Sequence, residues 1–411
     1  MLDSCLIILT NYFPFYKGEE YLETELPILA TKFERIFIIA CMIDDAQNQT
    51  REVPDNVVVV PSGVSHGKLN RVRMVLKSLT HKARELEQLN LSQKLYSKYF
   101  ESRSQMISEQ VIDRLSKYSF EQYKSIVIYS YWLYITARIG IELKNKLFKV
   151  DNPKIITRTH RYDLYEEVTQ LSFLPERQFL LSEMDAIYPV SDDGTNYLKW
   201  KHSAYSNKIK TRRLGTINPS FTLDKVRDNP LHLVSCSALR PVKRIDLIIE
   251  AVALLQAKGF KIHWTHIGDG ELYEKMQNLA QKKLVENSFH FAGFIRNHQV
   301  LDYYHENKVD VFLNVSESEG VPVSIMEAIS IGLPVIATDV GGTKEIVEDE
   351  ANGILLESQI DAIKLSEAIE KLCNMDSASY REMCEQAISI WELHYDGEKN
   401  YQMFADELSD M

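Results

Sequence analysis

The chain has 411 residues, 45% of them hydrophobic and 26% charged, which predicts about two folded domains and excludes a disordered protein. The net charge of −11 is uneven, because residues 1–215 carry 30 basic and 26 acidic side chains whereas the rest carries 17 and 32. An acidic second half argues against nucleic acid as a partner. No apolar stretch reaches the roughly 20 residues of a membrane span, and the five scattered cysteines predict reduced thiols in a cytoplasmic protein.

The chain starts with a short apolar strand, 6–9, and a loop over residues 10–18. A helix is predicted to begin near Glu19. A loop at the carboxyl end of a first strand faces the ligand cleft in open α/β sheets. An aromatic loop that simply packs on the core remains an alternative for this segment. Further buried strands are predicted at 36–40 and 57–60.

The segment 67–84 combines apolar residues at helical spacing with six basic residues and no acidic one. The basic residues are Lys68, Arg71, Arg73, Lys77, Lys82 and Arg84. A basic amphipathic helix is typical of an element that lies on an anionic membrane surface. The alternative is a solvated basic face above an ordinary core stripe.

Two more strands are predicted at 125–131 and 154–157, and the second leads into a polar cluster that contains His160. Polar side chains just after a parallel strand lie where ligands bind, so His160 is a candidate site residue. A strand over 185–190 would complete the first domain. Turn residues place a linker near 211–230, and a strand over 231–235 starts the second domain.

The second domain begins with a basic loop. Arg240 and Lys243 precede a helix predicted over 245–257, and fixed positive charge at a helix start suits a diphosphate. A glycine-containing turn, Gly268-Asp269-Gly270, follows the strand predicted over 262–267. It has Tyr273 where a dinucleotide fingerprint needs glycine, which excludes a nicotinamide site there.

The stretch 310–345 reads as strand, helix, strand and helix, the pattern of a parallel α/β sheet. Glu319 lies in the polar turn at the carboxyl end of the first strand, and Pro322 suits the first turn of the following helix. Glu327 lies about two helical turns further on the same side. The helix N-terminus between the two carboxylates can seat phosphate. A nucleotide-sugar, with hydroxyls at both ends and phosphates between them, fits this arrangement; two solvated helix-end charges are the alternative.

Glu-x7-Glu followed by EAISIGLPVIATDVGGTKEIV resembles the donor-binding signature of family-4 glycosyltransferases with the GT-B fold, as in bacterial surface-polysaccharide synthesis. The resemblance implies two Rossmann-like domains facing each other across a cleft. We expect an acceptor-binding domain over 1–215 and a donor-binding domain over 216–390. A terminal helix over 391–411, beginning at Trp391, would cross back to the first domain.

The resemblance also assigns roles to residues. Arg240 and Lys243 would hold the donor phosphates, Glu319 the sugar hydroxyls and Glu327 the ribose, and His160 would lie near the anomeric centre. The remaining donor-site candidates are Gly320, Val323 and Ser324 at the helix start and Phe294 and Ile295 beside the base. The acceptor-loop candidates are Tyr16, Lys17 and Gly18, although one glycine stands where many relatives have a pair.

The implied reaction is a retaining transfer of a hexose-type sugar from a UDP- or GDP-linked donor to a glycan or lipid-linked acceptor. No cofactor is implied, and no metal, since the chain contains no Asp-x-Asp sequence that would hold one. Two alternatives stay open. A sugar-nucleotide epimerase would use the same fold without an acceptor, and a non-catalytic partner of a synthesis complex would have lost turnover.

Overall fold

Two parallel six-stranded sheets organise the chain, one in each of two units. The computed structural model describes residues 2–411 apart from 17, 65–77, 79–83, 86, 88, 149–152, 220 and 224–228. The first unit comprises Met1–Leu214 with Glu398–Met411, and the second comprises Gly215–Gly397. The predicted α/β class is confirmed.

The first unit has strand order β3-β2-β1-β4-β5-β6. Its strands are β1 (Leu2–Thr10), β2 (Arg35–Ala40), β3 (Val57–Pro61), β4 (Tyr123–Ser130), β5 (Lys154–Thr159) and β6 (Ala186–Pro189). Its helices up to residue 201 are α1 (Leu22–Lys32), α2 (Leu91–Leu115), α3 (Ile135–Leu147), α4 (Arg161–Leu164), α5 (Arg177–Glu183) and α6 (Asp192–Lys201).

Both faces of this sheet are covered, which is why its strands are continuous apolar runs. In β1, Ile7 and Leu9 face one buried cluster, and Leu6 and Ile8 face the other. The chain leaves β1 in one direction for β2 and β3 and returns on the other side at β4. The carboxyl ends of β1 and β4 therefore form the topological switch point, where loops diverge and ligands can enter.

The second unit has the same topology, with strand order β12-β11-β10-β7-β8-β9 and a switch point between β7 and β10. Its strands are β7 (Leu231–Cys236), β8 (Ile262–Ile267), β9 (Phe289–Gly293), β10 (Val311–Asn314), β11 (Val335–Thr338) and β12 (Gly353–Leu356). Its helices are α7 (Ile245–Ala257), α8 (Tyr273–Lys283), α9 (Asn297–Glu306), α10 (Val323–Ser330), α11 (Ala362–Asn374) and α12 (Ser377–His394).

The C-terminal segment differs from the expected single helix over 391–411. Trp391 lies in α12, inside the core of the second unit, where its indole N–H donates to Thr216 Oγ1 at 2.8 Å. The terminal helix α13 (Gly397–Ser409) starts only after a break. Phe404 and Leu408 of α13 are fully buried in the first unit, which explains why the segment from Glu398 belongs there.

Candidate functional site

The basic loop after β7 stands at the switch point of the second sheet. Pro241–Lys243 form a 3-10 turn, and Arg244 has a left-handed backbone, with φ +48°, before α7 begins. The Arg240 side chain is exposed and that of Lys243 is half-buried. Arg244, which was not a predicted site residue, donates from Nε to the Val315 carbonyl at 2.6 Å and so connects this loop to the end of β10.

The turn Gly268–Gly270 packs against the residues that lead into the basic loop. Both glycines have positive φ, and a Cβ on Gly268 would come 1.9 Å from the Ser237 carbonyl oxygen. The Leu239 amide donates to the Asp269 carbonyl at 3.0 Å. This turn therefore has a packing role, and glycine is required because the neighbouring backbone leaves no room for a side chain.

Glu319 lies against the basic loop. Its Oε1 accepts from Lys243 Nζ at 2.6 Å and from Asn314 Nδ2 at 3.3 Å. The Glu317 amide donates to the Val242 carbonyl at 2.9 Å, which joins the two loops through their backbones. Asn314 was not a predicted site residue; its position as the last residue of β10 was the signal available in the sequence.

Glycines after β11 hold the Glu319–Gly320 turn in place. A Cβ on Gly341, which has φ +55°, would come 2.2 Å from the Glu319 carbonyl oxygen. The Gly342 amide donates to the Gly320 carbonyl at 2.8 Å. The loops after β7, β10 and β11 therefore converge at one edge of the sheet.

The start of α10 is close to its predicted position. Pro322 is the residue before the helix rather than a member of its first turn, with φ −74° and ψ 109°. The backbone bonds of the helix begin with Ile325 N–H donating to the Pro322 carbonyl at 3.2 Å. The amides of Val323 and Ser324 precede this bond, and both residues are half-buried, so this end retains the polarity that favours an anion.

Glu327 is 6% exposed, far less than a solvated helix-end charge would be. Burial raises the pKa of its carboxyl to about 7, and a hydrogen bond from the Asn297 side chain opposes the rise. Cys236, at the end of β7, is close enough for both Glu327 and Lys243 to act on its thiol, whose pKa burial raises to about 12. The described part of the second unit thus brings Lys243, Glu319 and Glu327 to the same edge of the sheet.

The predicted base-binding turn follows β9. Phe294 is 64% exposed, and Ile295 packs partly against the buried cluster that contains Ile325 and Met326. Gly293 turns the chain with φ +71°. An exposed ring beside this turn is a surface on which a base can stack.

His160 is the residue just before α4 in the first unit. Its ring lies 4.8 Å from the Tyr131 ring and 4.7 Å from the Trp132 ring, measured between centroids. Burial, with a smaller effect of the Arg158 charge, lowers the pKa of the imidazole to about 3. Its Nε2 atom is buried and accepts or donates no hydrogen bond among the described residues. A neutral imidazole with an unused ring nitrogen suits a role as hydrogen-bond partner for a ligand hydroxyl.

Asp163 fixes the backbone around this histidine and was missed in the sequence. One carboxylate oxygen accepts from the His160 N–H at 2.7 Å, and the other accepts from the Leu133 N–H. Arg177 donates to the Asp163 carbonyl at 2.5 Å. Burial raises the pKa of the Asp163 carboxyl to about 7. The spacing of an acid three residues after a helix-start residue was the signal that could have revealed it.

The loop after β1 is buried in part and exposed in part. Phe13 and Phe15 are buried, whereas Tyr12 and Tyr16 are 41% and 46% exposed. Gly18 has φ +104°, which only glycine adopts easily. Lys17 lies outside the described residues. The helix predicted to start near Glu19 begins at Leu22, because Glu19 itself has a left-handed backbone, with φ +60°.

The predicted basic helix over 67–84 lies almost wholly outside the described residues. Arg84, which is described, has its guanidinium carbon 4.2 Å from the centre of the Phe179 ring. No group of three or more potential metal-binding side chains occurs within the described ranges. In the same part of the chain, no helix is both long and apolar enough to cross a membrane.

Comparison with known proteins agrees with this geometry. Residues 224–390 match the model of the family described as glycosyl transferases group 1. The putative colanic acid biosynthesis glycosyltransferase WcaL of Salmonella typhimurium is 30% identical over 225 residues, covering 52% of this chain and 55% of that protein. The amylovoran biosynthesis glycosyltransferase AmsK of Erwinia amylovora is 28% identical over 229 residues, covering 52% and 54%. The chain spans about half the length of these curated relatives.

Solved structures match over the whole chain. Sucrose-phosphate synthase from Thermosynechococcus elongatus has a TM-score of 0.73 at 17% identity, covering 99% of this chain and 98% of that one. HepE from Anabaena, in complex with UDP and glucose, has a TM-score of 0.66 at 15% identity, covering 99% of each chain. These likenesses establish the GT-B glycosyltransferase fold. Residues 224–390, which contain Arg240, Lys243, Glu319 and Glu327, match the model of the glycosyl transferases group 1 family, in agreement with the motif resemblance.

Proposed function

We propose that the chain is a glycosyltransferase of surface-polysaccharide or glycoconjugate synthesis. It would move a hexose-type sugar, with retention of configuration, from a nucleotide-sugar to a glycan or lipid-linked acceptor. The observation that carries the proposal is the convergence of Lys243 and Glu319 at the switch point of the second sheet. A cation for phosphate and a carboxylate for sugar hydroxyls lie there within one hydrogen bond of each other. The matched family and the named functions of WcaL and AmsK support it.

The proposed roles follow from the charges. When the bond from the sugar to the diphosphate breaks, the leaving nucleoside diphosphate takes the electron pair. The acceptor hydroxyl oxygen would form the new bond to the sugar carbon, and its proton would pass to the leaving diphosphate oxygen. Arg240, Lys243 and the start of α10 would stabilise the developing negative charge without a metal. Glu319 would bind sugar hydroxyls, Glu327 the ribose, and His160 the sugar near its reacting carbon. Phe294 and Ile295 would contact the base.

The donor is proposed to carry UDP or GDP. The HepE complex with UDP and glucose, on the same fold, favours UDP as the first donor class to test. The loop residues Tyr16, Lys17 and Gly18 would contact the acceptor. The amides of Asn11, Tyr12 and Phe13 in this loop already donate to the Glu19 carboxylate. We therefore assign the binding of the diphosphate to the second unit.

The test is incubation of the pure protein with a panel of UDP- and GDP-sugars, while released nucleotide and free sugar are measured. Slow hydrolysis of one donor, reduced about tenfold to a hundredfold in Lys243→Ala, is the expected result. Formation of a new epimer with the nucleotide still attached would instead establish the epimerase. Donor binding without any turnover, with or without acceptor glycans, would establish the non-catalytic partner.

A peripheral membrane location is a second proposal, based on six basic residues and an apolar stripe within 67–84. Near an anionic surface each basic residue contributes on the order of 1 kcal/mol. The contact of Arg84 with Phe179 shows that this one charge also packs on the protein. We expect the protein to sediment with vesicles that contain anionic lipid, less so as salt rises. Changing Arg71, Arg73 and Lys77 to glutamate should abolish sedimentation and leave donor hydrolysis intact; absence of vesicle binding at low salt would remove the membrane proposal alone.

A further inference from the structure

The Glu19 carboxylate collects four N–H donors at the switch point of the first sheet. Its Oε1 accepts from the Asn11 amide at 2.7 Å and from the Trp132 indole Nε1 at 2.6 Å. Its Oε2 accepts from the amides of Tyr12 at 2.9 Å and Phe13 at 2.8 Å. Hydrogen bonds to a charged acceptor are stronger than neutral ones, and Glu19 is only 6% exposed, so water competes little for them.

The donors to the Glu19 carboxylate lie in two different loops. Asn11, Tyr12 and Phe13 follow β1, and Trp132 follows β4, so the carboxylate bridges the two loops that diverge at the switch point. Three successive amides aimed at one anion form the kind of concave site that proteins use for phosphate. Here the anion is a side chain of the same chain.

The backbone of Glu19 is adapted to this task. Its φ of +60° lies in the left-handed region, which is unfavourable for a non-glycine residue. The strained turn brings the carboxylate back over the loop that precedes it, and the four hydrogen bonds offset the cost. Such strain, held by its surroundings, clusters at functional sites.

Trp132 connects this carboxylate to His160. The indole ring that donates to Glu19 lies 4.7 Å from the His160 imidazole, with an angle of 51° between the ring planes. Tyr131 covers the same imidazole at 4.8 Å, and Asp163 holds the backbone N–H of His160. The orientation of the ring therefore depends on aromatic neighbours, one of which is fixed by Glu19.

We propose that Glu19 is a positioning residue that orients His160 through Trp132 and at the same time sets the loop bearing Tyr12 and Tyr16. The inference rests on the proposed role of His160 in transfer. Glutamine cannot replace Glu19, because one of the two oxygens would become an amide NH₂ facing two N–H donors. The charged carboxylate, and not merely a side chain of this size, is the requirement.

The loop has a second anchor, which lets a Glu19 variant fold. The amides of Thr50 and Arg51 donate to the Pro14 carbonyl at 3.2 and 3.1 Å. Glu19→Gln should therefore remain folded while the ring contacts near His160 change. Glu23→Gln is the matched control, because it makes the same chemical change in the following helix, α1. The Glu23 side chain is 53% exposed and pairs with Arg51 at 3.0 Å.

The test combines nuclear magnetic resonance of labelled histidine and tryptophan with donor hydrolysis. In Glu19→Gln the indole N–H signal of Trp132 and the imidazole signals of His160 should both shift, and those in Glu23→Gln should not. With UDP-glucose, UDP-galactose and GDP-mannose as donors, kcat for hydrolysis should fall about tenfold to a hundredfold while the donor KM stays within about twofold, since donor binding belongs to the other unit.

Trp132→Phe keeps an aromatic ring but removes the donor, so it should reproduce the His160 shift and the fall in kcat. Should Glu19→Gln fail to fold, this variant decides the question. Unchanged His160 signals in either folded variant would overturn the proposal. If no donor is hydrolysed by the wild type, the proposed function fails, whereas the His160 signals still decide whether Glu19 positions the ring.

Discussion

Lys243 Nζ and Glu319 Oε1 lie 2.6 Å apart and form an ion pair between the loops after β7 and β10. The side chains are 22% and 11% exposed, so the pair is only partly screened by water. In the proposed donor complex, Lys243 would face phosphate and Glu319 would face sugar. The ion pair thus joins two groups that substrate binding would separate, or that would both contact the substrate.

The ion pair leads to a prediction about nucleoside diphosphate binding. Glu319→Gln should bind UDP or GDP at least as tightly as the wild type, because Lys243 is released for the phosphates, while transfer falls about a hundredfold through loss of sugar contacts. Calorimetry with the bare nucleotide and kinetics with the full donor measure the two effects. Weaker nucleotide binding by Glu319→Gln would show that this carboxylate contacts the nucleotide itself.

Arg240 and Lys243, the proposed phosphate clamp, give a second prediction. Arg240→Ala and Lys243→Ala should each weaken donor binding or transition-state stabilisation by about 1.5–3 kcal/mol, since each removes a charge-assisted contact to the diphosphate. Arg240→Lys should restore only part of the loss, because the planar guanidinium fork is absent. Lys258→Ala, which breaks a surface ion pair with Glu370, is the control. Wild-type kcat/KM in both alanine variants would place the clamp elsewhere.

Glu327 predicts a pH effect on stability. Burial raises its pKa to about 7, so its contribution to stability is fully present below the unfolded-state pKa of about 4.5 and is lost as pH rises through about 7. Glu327→Gln should therefore gain up to about 3 kcal/mol in unfolding free energy relative to the wild type between pH 5 and pH 8. Denaturant unfolding of both proteins at the two pH values measures the difference; a difference that does not change with pH would contradict the raised pKa.

A second variant of this residue, Glu327→Ala, tests the role of Glu327 in binding. Because the proposed ribose contact belongs to the nucleoside, Glu327→Ala should weaken the bare nucleoside diphosphate as well as the donor, by about 1–3 kcal/mol. This outcome contrasts with Glu319→Gln, and isothermal calorimetry on the two variants separates them. Equal nucleotide affinities in both variants would refute the proposed division of labour.

His160 should remain neutral over the working range of the protein. Burial and the nearby Arg158 lower the pKa of its imidazole to about 3, so its resonances should not titrate between pH 4.5 and pH 9. His160→Ala should lower kcat while nucleoside diphosphate affinity is unchanged, since the residue lies in the first unit. An imidazole that titrates near pH 6.5 would show that the ring is solvated and oriented differently.

Activity should survive a chelator. Arg240, Lys243 and the amides at the start of α10 supply fixed positive charge where a divalent ion would otherwise act. Turnover after dialysis against EDTA should stay within about twofold of its initial value. Loss of turnover that magnesium or manganese restores would contradict the argument from the absent Asp-x-Asp sequence.

The sequence by itself determined the class of fold and the motif from which a donor site is proposed. Continuous apolar strands separated by helices require a parallel sheet covered on both faces, and this local pattern is visible without the structure. Arg240, Lys243 and Glu319 were predicted as site residues because each lies just after a strand or at a helix start, where local chemistry indicates an anion or a hydroxyl. Glu327 was predicted because it lies about two helical turns beyond Glu319 in the same motif.

Tertiary structure alone decided which of these groups meet and how they ionise. The pairing of Lys243 with Glu319 joins residues 76 positions apart, and that of Glu19 with Trp132 joins residues 113 positions apart. The hydrophobic periodicity of the sequence does not predict such contacts, because they depend on which strands become neighbours at the switch point of each sheet. Trp391 shows the same limit: it fits a terminal helix by pattern, yet its indole is buried against Thr216 in the second unit. The neutral His160 and the raised pKa of Glu327 likewise arise from burial, which only the packed chain creates.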